Sequence, residues 1–226
     1  MTPGLARRYL SYTDRTGEIA FAVLMVIIIN GYVAISNLNT GFLYIVVVNL
    51  GACAGWGFID GFIYAISSSI ERNNLRNKLT LLKRIVREQN NSNNKAVMEK
   101  VESNLDDTFF SSFNKEGKEA VAKDIVTYVS EASLEDNKVI TKEDALGWLS
   151  IILIYLTVGF LLALPFFVFS NKVLAWLISN LSGVVWLFWY GFQLGKSVGK
   201  YRIALGFSMS AIGLSFLIIS YIVWVG

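Results

Sequence analysis

The chain has no histidine, one cysteine and two prolines in 226 residues. Without histidine there is no imidazole-ligated zinc or haem site and no histidine proton relay. Cys53 stands alone inside an apolar run, so no internal disulfide framework exists, and the thiol reads as a small buried hydrophobe. Acidic charge is missing from both ends: of 17 Asp and Glu, only Asp14, Glu18 and Asp60 precede Glu71, and none follows Asp144. There is no glycine-rich phosphate loop and no basic-aromatic patch, and a net charge of +3 is too mild to attract nucleic acid. No nucleophile stands with a base at catalytic spacing, so neither an enzyme nor a tightly bound cofactor is expected.

What fills the chain is apolar. It is 54% hydrophobic with a mean hydropathy of +0.51. Long apolar runs flank a polar island of about 75 residues between Glu71 and Asp144. This is the composition of an integral membrane protein with one aqueous domain, its main partner the lipid bilayer. A bilayer core takes about 20 apolar residues as helix, and five segments qualify: 18–36, 42–70, 147–169, 173–195 and 203–225. They are too long and too uniformly apolar for barrel strands. The expected fold is all-α and polytopic, with five transmembrane helices. Residues 1–70 form the N-terminal tail and two spans, 71–144 a helical domain, and 145–226 three more spans. MTPGLARRYLSYTDRTGE lacks the cleavage site of a signal peptide, so the first run reads as a retained span.

Positive charge sets the orientation. Arg7, Arg8 and Arg15, the many Lys and Arg of the island, and Lys196, Lys200 and Arg202 fall on one side; Lys172 alone falls on the other. This places the N-terminus and the island in the cytoplasm and the C-terminus outside. Thr141, three residues before Asp144, resembles a capping box at the start of the third span, with Asp replacing Glu or Gln. Trp148 suits the interfacial belt, and Pro165 should loosen the last turn. In the island, Leu75, Leu79, Leu82 and Val86 extend the second span as a helix over 75–89. Further helices are expected at 95–105 and 116–132, with breaks at 90–94 and 111–117.

The second span carries a polar stripe. Asn49, Cys53, Trp56, Asp60, Tyr64, Ser67 and Glu71 recur at spacings of three and four, with Gly51, Gly55, Gly57 and Gly61 on or beside that face. Asp60 precedes Glu71 by eleven residues, or roughly 16 Å of helix, which puts it near mid-membrane. An Asp there costs about 2.5–3.5 kcal/mol to insert, so it must face a bundle interior or a wet cavity. Two roles are open to it: a ligand or proton-exchanging group on an ion pathway, or a hydrogen-bonded tie between helices. Glu71, beside Arg72, is either a gate or an ordinary interfacial acid. The first span offers Glu18 at its cytoplasmic start, Met25 as either a soft thioether ligand or core filler, and Asn30 near mid-span. Asn180 and Gln193 invite cross-helix pairing. Gly191, Gly195 and Gly199 form GxxxGxxxG, and Gly206, Ser210 and Gly213 a looser track, suited to packing within one chain or between two. Glu99, Glu102 and Asp106, with Asp107 and Met98 beside them, and Glu116, Glu119 and Asp124 are either acidic faces for divalent cations or solvated helix faces.

Four stretches together resemble the vacuolar iron transporter family, most closely its prokaryotic VIT-like branch. They are RRYLSYTDRTGEIAFAVLMV, AGWGFIDGFIYAISSSIER, ITKEDALGWLSIILIYLTVGFLLALPFFVF and GKSVGKYRIALGFSMSAIGLSFLIISYIVW. The resemblance covers both membrane halves. It implies export of Fe²⁺ or Mn²⁺ from the cytoplasm in exchange for protons, a homodimer with its pathway along the subunit interface, and a cytoplasmic domain that collects metal through glutamates. On this reading Asp60, Glu71, Glu18, Asn30, Tyr64 and Asn49 line the pathway. Asp60, Glu71, Met25, Glu99, Glu102 and Asp106 supply metal ligands, and the membrane is the prokaryotic plasma membrane. Two positions depart from the family pattern. Better-known members carry an Asp well inside the first span, where Ile19–Ile35 holds only Met25 and Asn30, and a methionine in the second, where this chain has none. The alternative class is a non-transporting scaffold or regulator on the same fold.

Overall fold

The computed structural model describes residues 5–36, 41–88, 101, 112–131 and 139–225. Their regular elements are helices: α1 Leu5–Tyr9, α2 Tyr12–Ser36, α3 Phe42–Glu88, α4 Lys115–Glu131, α5 Lys142–Val168, α6 Lys172–Val198 and α7 Arg202–Val225. The chain divides into two compact units, one of Met1–Ala65 with Ile140–Gly226 and one of Ile66–Val139. Four helical stretches among the described residues are long and apolar enough to cross a membrane: Leu43–Leu81, Lys142–Val168, Lys172–Val198 and Arg202–Ile219. The first expected span lies in α2, which is not among the four.

In the first unit, helix ends are set by local chemistry. At the start of α5 the Thr141 hydroxyl accepts from the Asp144 amide at 3.2 Å, while the Asp144 carboxylate accepts from the Thr141 amide at 2.7 Å. This reciprocal box occupies two donors that the first turn leaves free. The Asn171 side chain caps α6, accepting from Val173 at 3.0 Å and Leu174 at 3.2 Å. Gly199 ends α6 in the left-handed conformation at φ 81°, where glycine carries no Cβ penalty. Tyr201 follows at φ 58°, an uncommon value for a bulky residue that marks how tightly the chain reverses into α7. Pro165 does not stop α5 early, because the helix runs on to Val168 and the Phe169 amide bonds back to the Pro165 carbonyl at 3.0 Å.

α2 packs against α5, α6 and α7. Its Ala22, Val23, Val26 and Ile27 join Ile151, Tyr155, Val158 and Leu162 of α5, Leu187 of α6 and Cys53 of α3 in one buried cluster. A smaller cluster gathers Ile45 and Val46 of α3, Ala163 and Phe166 of α5, and Ala175 of α6. Glycines decide how closely helices approach. A Cβ on Gly191 would lie 2.2 Å from the Leu205 carbonyl oxygen, and one on Gly195 would lie 2.5 Å from the Arg202 Cα. These two positions of the GxxxGxxxG track therefore seat α7 on α6 within one chain, while Gly199 serves as the cap. Outside these contacts, Leu153, Phe160, Leu181, Trp189, Phe207 and Ile218 are exposed, as a surface solvated by lipid chains requires.

The second unit holds the remainder of α3 from Ile66, together with α4. The expected continuation of the second span as a helix is present, with α3 unbroken to Glu88. α4 opens on Asn114, whose side chain accepts from the Gly117 amide at 2.9 Å, so the break expected over 111–117 ends at a helix cap. The expected helix at 95–105 and the break at 90–94 lie outside the described residues, apart from Val101.

Candidate functional site

The α3–α5 contact places Asp60. Gly57 lets the α5 backbone approach, since a Cβ there would lie 3.0 Å from the Tyr155 Cβ and 3.1 Å from the Ile152 Cα. At Gly61 an added Cβ would meet the Trp148 ring at 2.2 Å. The same indole donates from Nε1 to the Phe58 carbonyl at 2.9 Å and packs edge-on against the Phe58 and Phe62 rings. Trp148, expected only as an interfacial anchor, thus clamps the turn that carries Asp60. Gly51 and Gly55 have open space where a Cβ would go, so the expected close approach is confined to Gly57 and Gly61.

Asp60 is half-buried and accepts a hydrogen bond from the hydroxyl of Tyr155. Glu18 of α2 lies within hydrogen-bonding reach of the same hydroxyl and close enough for its charge to act on Asp60. Its Oε2 is buried and finds no partner among the described residues. Three helices therefore bring two carboxylates to one phenol hydroxyl. Tyr155 is 1% exposed. Sequence reasoning missed it because it sits in the uniformly apolar run LSIILIYLTVG. The signal that could have found it is general: a tyrosine that buries its ring needs a partner for its hydroxyl.

Asn30 and Asn49 meet farther along the same helices. The Asn49 amide donates to Asn30 Oδ1 at 2.8 Å and to the Ile45 carbonyl at 3.1 Å. Asn30 in turn donates to Ser179 Oγ at 2.8 Å, and Ser179 to the Leu162 carbonyl at 2.6 Å. Trp176 Nε1 completes the set with a bond to the Asn30 carbonyl at 2.9 Å. This chain of bonds runs one way through α3, α2, α6 and α5. Asn180, also expected to pair across helices, instead donates to the Trp176 carbonyl of its own helix at 2.9 Å. Asn49 Oδ1 and Asn180 Oδ1 are buried with no partner among the described residues. Between this polar layer and the Glu18–Tyr155–Asp60 group lie Val23, Val26, Ile27 and Cys53, all buried and apolar.

The stripe on α3 is not a single inward face. Asn49 and Cys53 are buried and Asp60 and Tyr64 half-buried, but Trp56, Ser67 and Glu71 are exposed. Tyr64 packs over Gly147 and donates to the Tyr9 carbonyl at 2.9 Å, tying α3 to α1. Met25 is half-buried against the main apolar cluster. Glu71 belongs to the second unit. Among the described residues no three Asp, Glu or Cys side chains converge on one point. Glu116, Glu119 and Asp124 are exposed on α4, whereas Glu99, Glu102 and Asp106 lie outside the described residues. No family model matches the chain, and no curated protein is similar to it at a significant level.

Proposed function

We propose that the chain is an integral membrane transporter that exports a divalent transition-metal cation, Fe²⁺ or Mn²⁺, from the cytoplasm in exchange for protons. α2 is the fifth span beside the four apolar helices, the N-terminus and the 71–144 region are cytoplasmic, and the C-terminus is outside. The observation that carries the reading is that Glu18 and Asp60 meet at the buried side chain of Tyr155. Two carboxylates sharing one partly desolvated space repel each other unless a positive charge stands with them, and that charge is either a metal ion or a proton. A group that takes one or the other is what cation–proton exchange requires. Oxygen donors suit Mn²⁺ and Fe²⁺ better than Cu⁺. The resemblance of the four membrane stretches to vacuolar iron transporters supports the same class and adds the expectation of a homodimer in a prokaryotic plasma membrane.

In proteoliposomes loaded with a pH-sensitive dye, wild-type protein should move protons when Mn²⁺ or Fe²⁺ is imposed across the membrane. Asp60→Asn, which keeps the shape and removes the charge, should abolish that signal. Wild-type protein that moves no metal under any gradient overturns the reading.

A second reading has its own support. The Tyr155–Asp60 bond joins α3 to α5, as a structural tie would, and no third ligating side chain accompanies the two carboxylates among the described residues. A scaffold or regulator on this fold would show the same thermal stability with and without Mn²⁺, in wild type and Asp60→Asn alike.

A further inference from the structure

A groove of about 260 Å³ opens on the side of the first unit where α1, α2, α5 and α6 meet. Ala6, Ile19, Leu153, Thr157, Leu161 and Trp186 line it, and the wall is almost wholly apolar. Along α5 it extends from Ser150 to Leu161. Eleven residues of helix cover roughly 16 Å, about half of a 30 Å hydrocarbon core. Its depth is that of a single leaflet.

The two ends of the groove differ. At the Ser150 end stands Ala6, in the short helix α1, and the next two residues of the chain are Arg7 and Arg8. Both arginines are exposed, and the Arg8 guanidinium lies 5.5 Å from the centre of the Tyr9 ring. α1 is held in place, because the Tyr9 carbonyl accepts from Tyr64 and Leu10 is buried. At the Leu161 end the lining is apolar. A guest that fits both ends has an anionic head and an apolar tail that can lie along the groove.

From this we infer that the groove is a binding site for one anionic phospholipid of the leaflet that faces α1. An acyl chain lies along α5 between Ser150 and Leu161, and the phosphate sits with Arg7 and Arg8. Guanidinium groups bind phosphate oxygens through paired charge-assisted hydrogen bonds, which a zwitterionic headgroup with its own ammonium satisfies less well. The inference rests on the membrane-spanning reading but not on cation transport, so it stands or falls separately from the exchanger.

The test uses the full chain in detergent, titrated with phosphatidylglycerol or phosphatidylcholine of identical chains and read by native mass spectrometry. Wild type should hold one phosphatidylglycerol at least tenfold more tightly than phosphatidylcholine. Arg7→Gln with Arg8→Gln, both at exposed positions, should bring phosphatidylglycerol down to the phosphatidylcholine level and leave phosphatidylcholine binding unchanged. Thr157→Trp, which fills the groove from an exposed position on α5, should lose both lipids. Equal affinity of wild type for the two lipids overturns the proposal, as does unchanged phosphatidylglycerol binding in the double-arginine variant. A dimeric wild type that Thr157→Trp turns into a monomer also overturns it, since the groove would then hold a second copy of the chain.

Discussion

Asp60 illustrates how much one carboxylate depends on residues far away in sequence. Gly57 and Gly61 bring α5 close, Trp148 clamps the turn, and Tyr155 supplies the donor. If the hydroxyl and the carboxylate act as a unit, removing either should cost about as much as removing both. Hydrogen bonds to charged groups contribute about 1.5–3 kcal/mol, and orphaning a buried partner costs a similar amount. Tyr155→Phe is therefore expected to destabilise the protein by about 1–3 kcal/mol. In combination with Asp60→Asn, the double variant should fall short of the sum by more than the roughly 0.5 kcal/mol within which independent sites add. Denaturation in detergent of the two single variants and the double variant measures this. Additive losses would show that the two groups do not share an interaction. The Asn30–Asn49–Ser179 bonds are of another kind: neutral, directional and closed onto a backbone carbonyl. They hold four helices in one register without presenting charge.

At the scale of elements, packing is governed by where a Cβ fits. Gly191 and Gly51 are both glycines in apolar helices, yet their surroundings are opposite. A methyl group on Gly191 would press into the Leu205 carbonyl of α7, whereas one on Gly51 meets nothing within 4 Å. Gly191→Ala should therefore separate α6 from α7 and lower stability by about 1–3 kcal/mol, the usual range for forced overpacking. Gly51→Ala should be neutral or stabilising by about 0.5–1 kcal/mol through helix propensity. Thermal melts of the two variants in the same detergent compare them directly, and equal losses would refute the close approach at Gly191. The same contrast shows what was legible in the sequence. The Thr141–Asp144 box, the unbroken run of α3 to Glu88 and the apolar helices α5, α6 and α7 depend on neighbours a few residues apart, and all were readable from spacing. Which glycines face another helix was not, because Gly51, Gly55, Gly57 and Gly61 look alike until α5 is placed. Tyr155 was hidden for the same reason: its partners lie 95 and 137 positions away in Asp60 and Glu18. Trp56, on the polar stripe by spacing, is exposed because a stripe wider than the contact must leave some members facing outward.

The whole molecule is organised by charge as much as by hydropathy. α5, α6 and α7 follow one another through short links, Phe169–Asn171 and Gly199–Tyr201, so successive helices reverse direction. That puts Thr141 and the Lys196–Arg202 turn at one end and Ser170 with Lys172 at the other. α1 joins the Thr141 end, where Tyr9 meets Tyr64, and Tyr64 packs over Gly147. Arg7, Arg8, Lys142, Lys196, Lys200 and Arg202 gather at that end, and under the proposed orientation the bias of Lys and Arg toward the cytoplasm turns it inward. The single native cysteine provides a built-in control, since Cys53 is fully buried and its sulfur lies against Gly159. A membrane-impermeant maleimide applied to intact cells should leave the native chain unlabelled. Ser170→Cys, at an exposed position in the α5–α6 link, should label in intact cells. Ser112→Cys, exposed just before α4, should label only after the membrane is opened. Labelling of Ser112→Cys in intact cells would reverse the orientation. Labelling of both variants in intact cells would remove one membrane crossing between residues 112 and 170, and with it the proposed odd number of spans that would place the two termini on opposite sides.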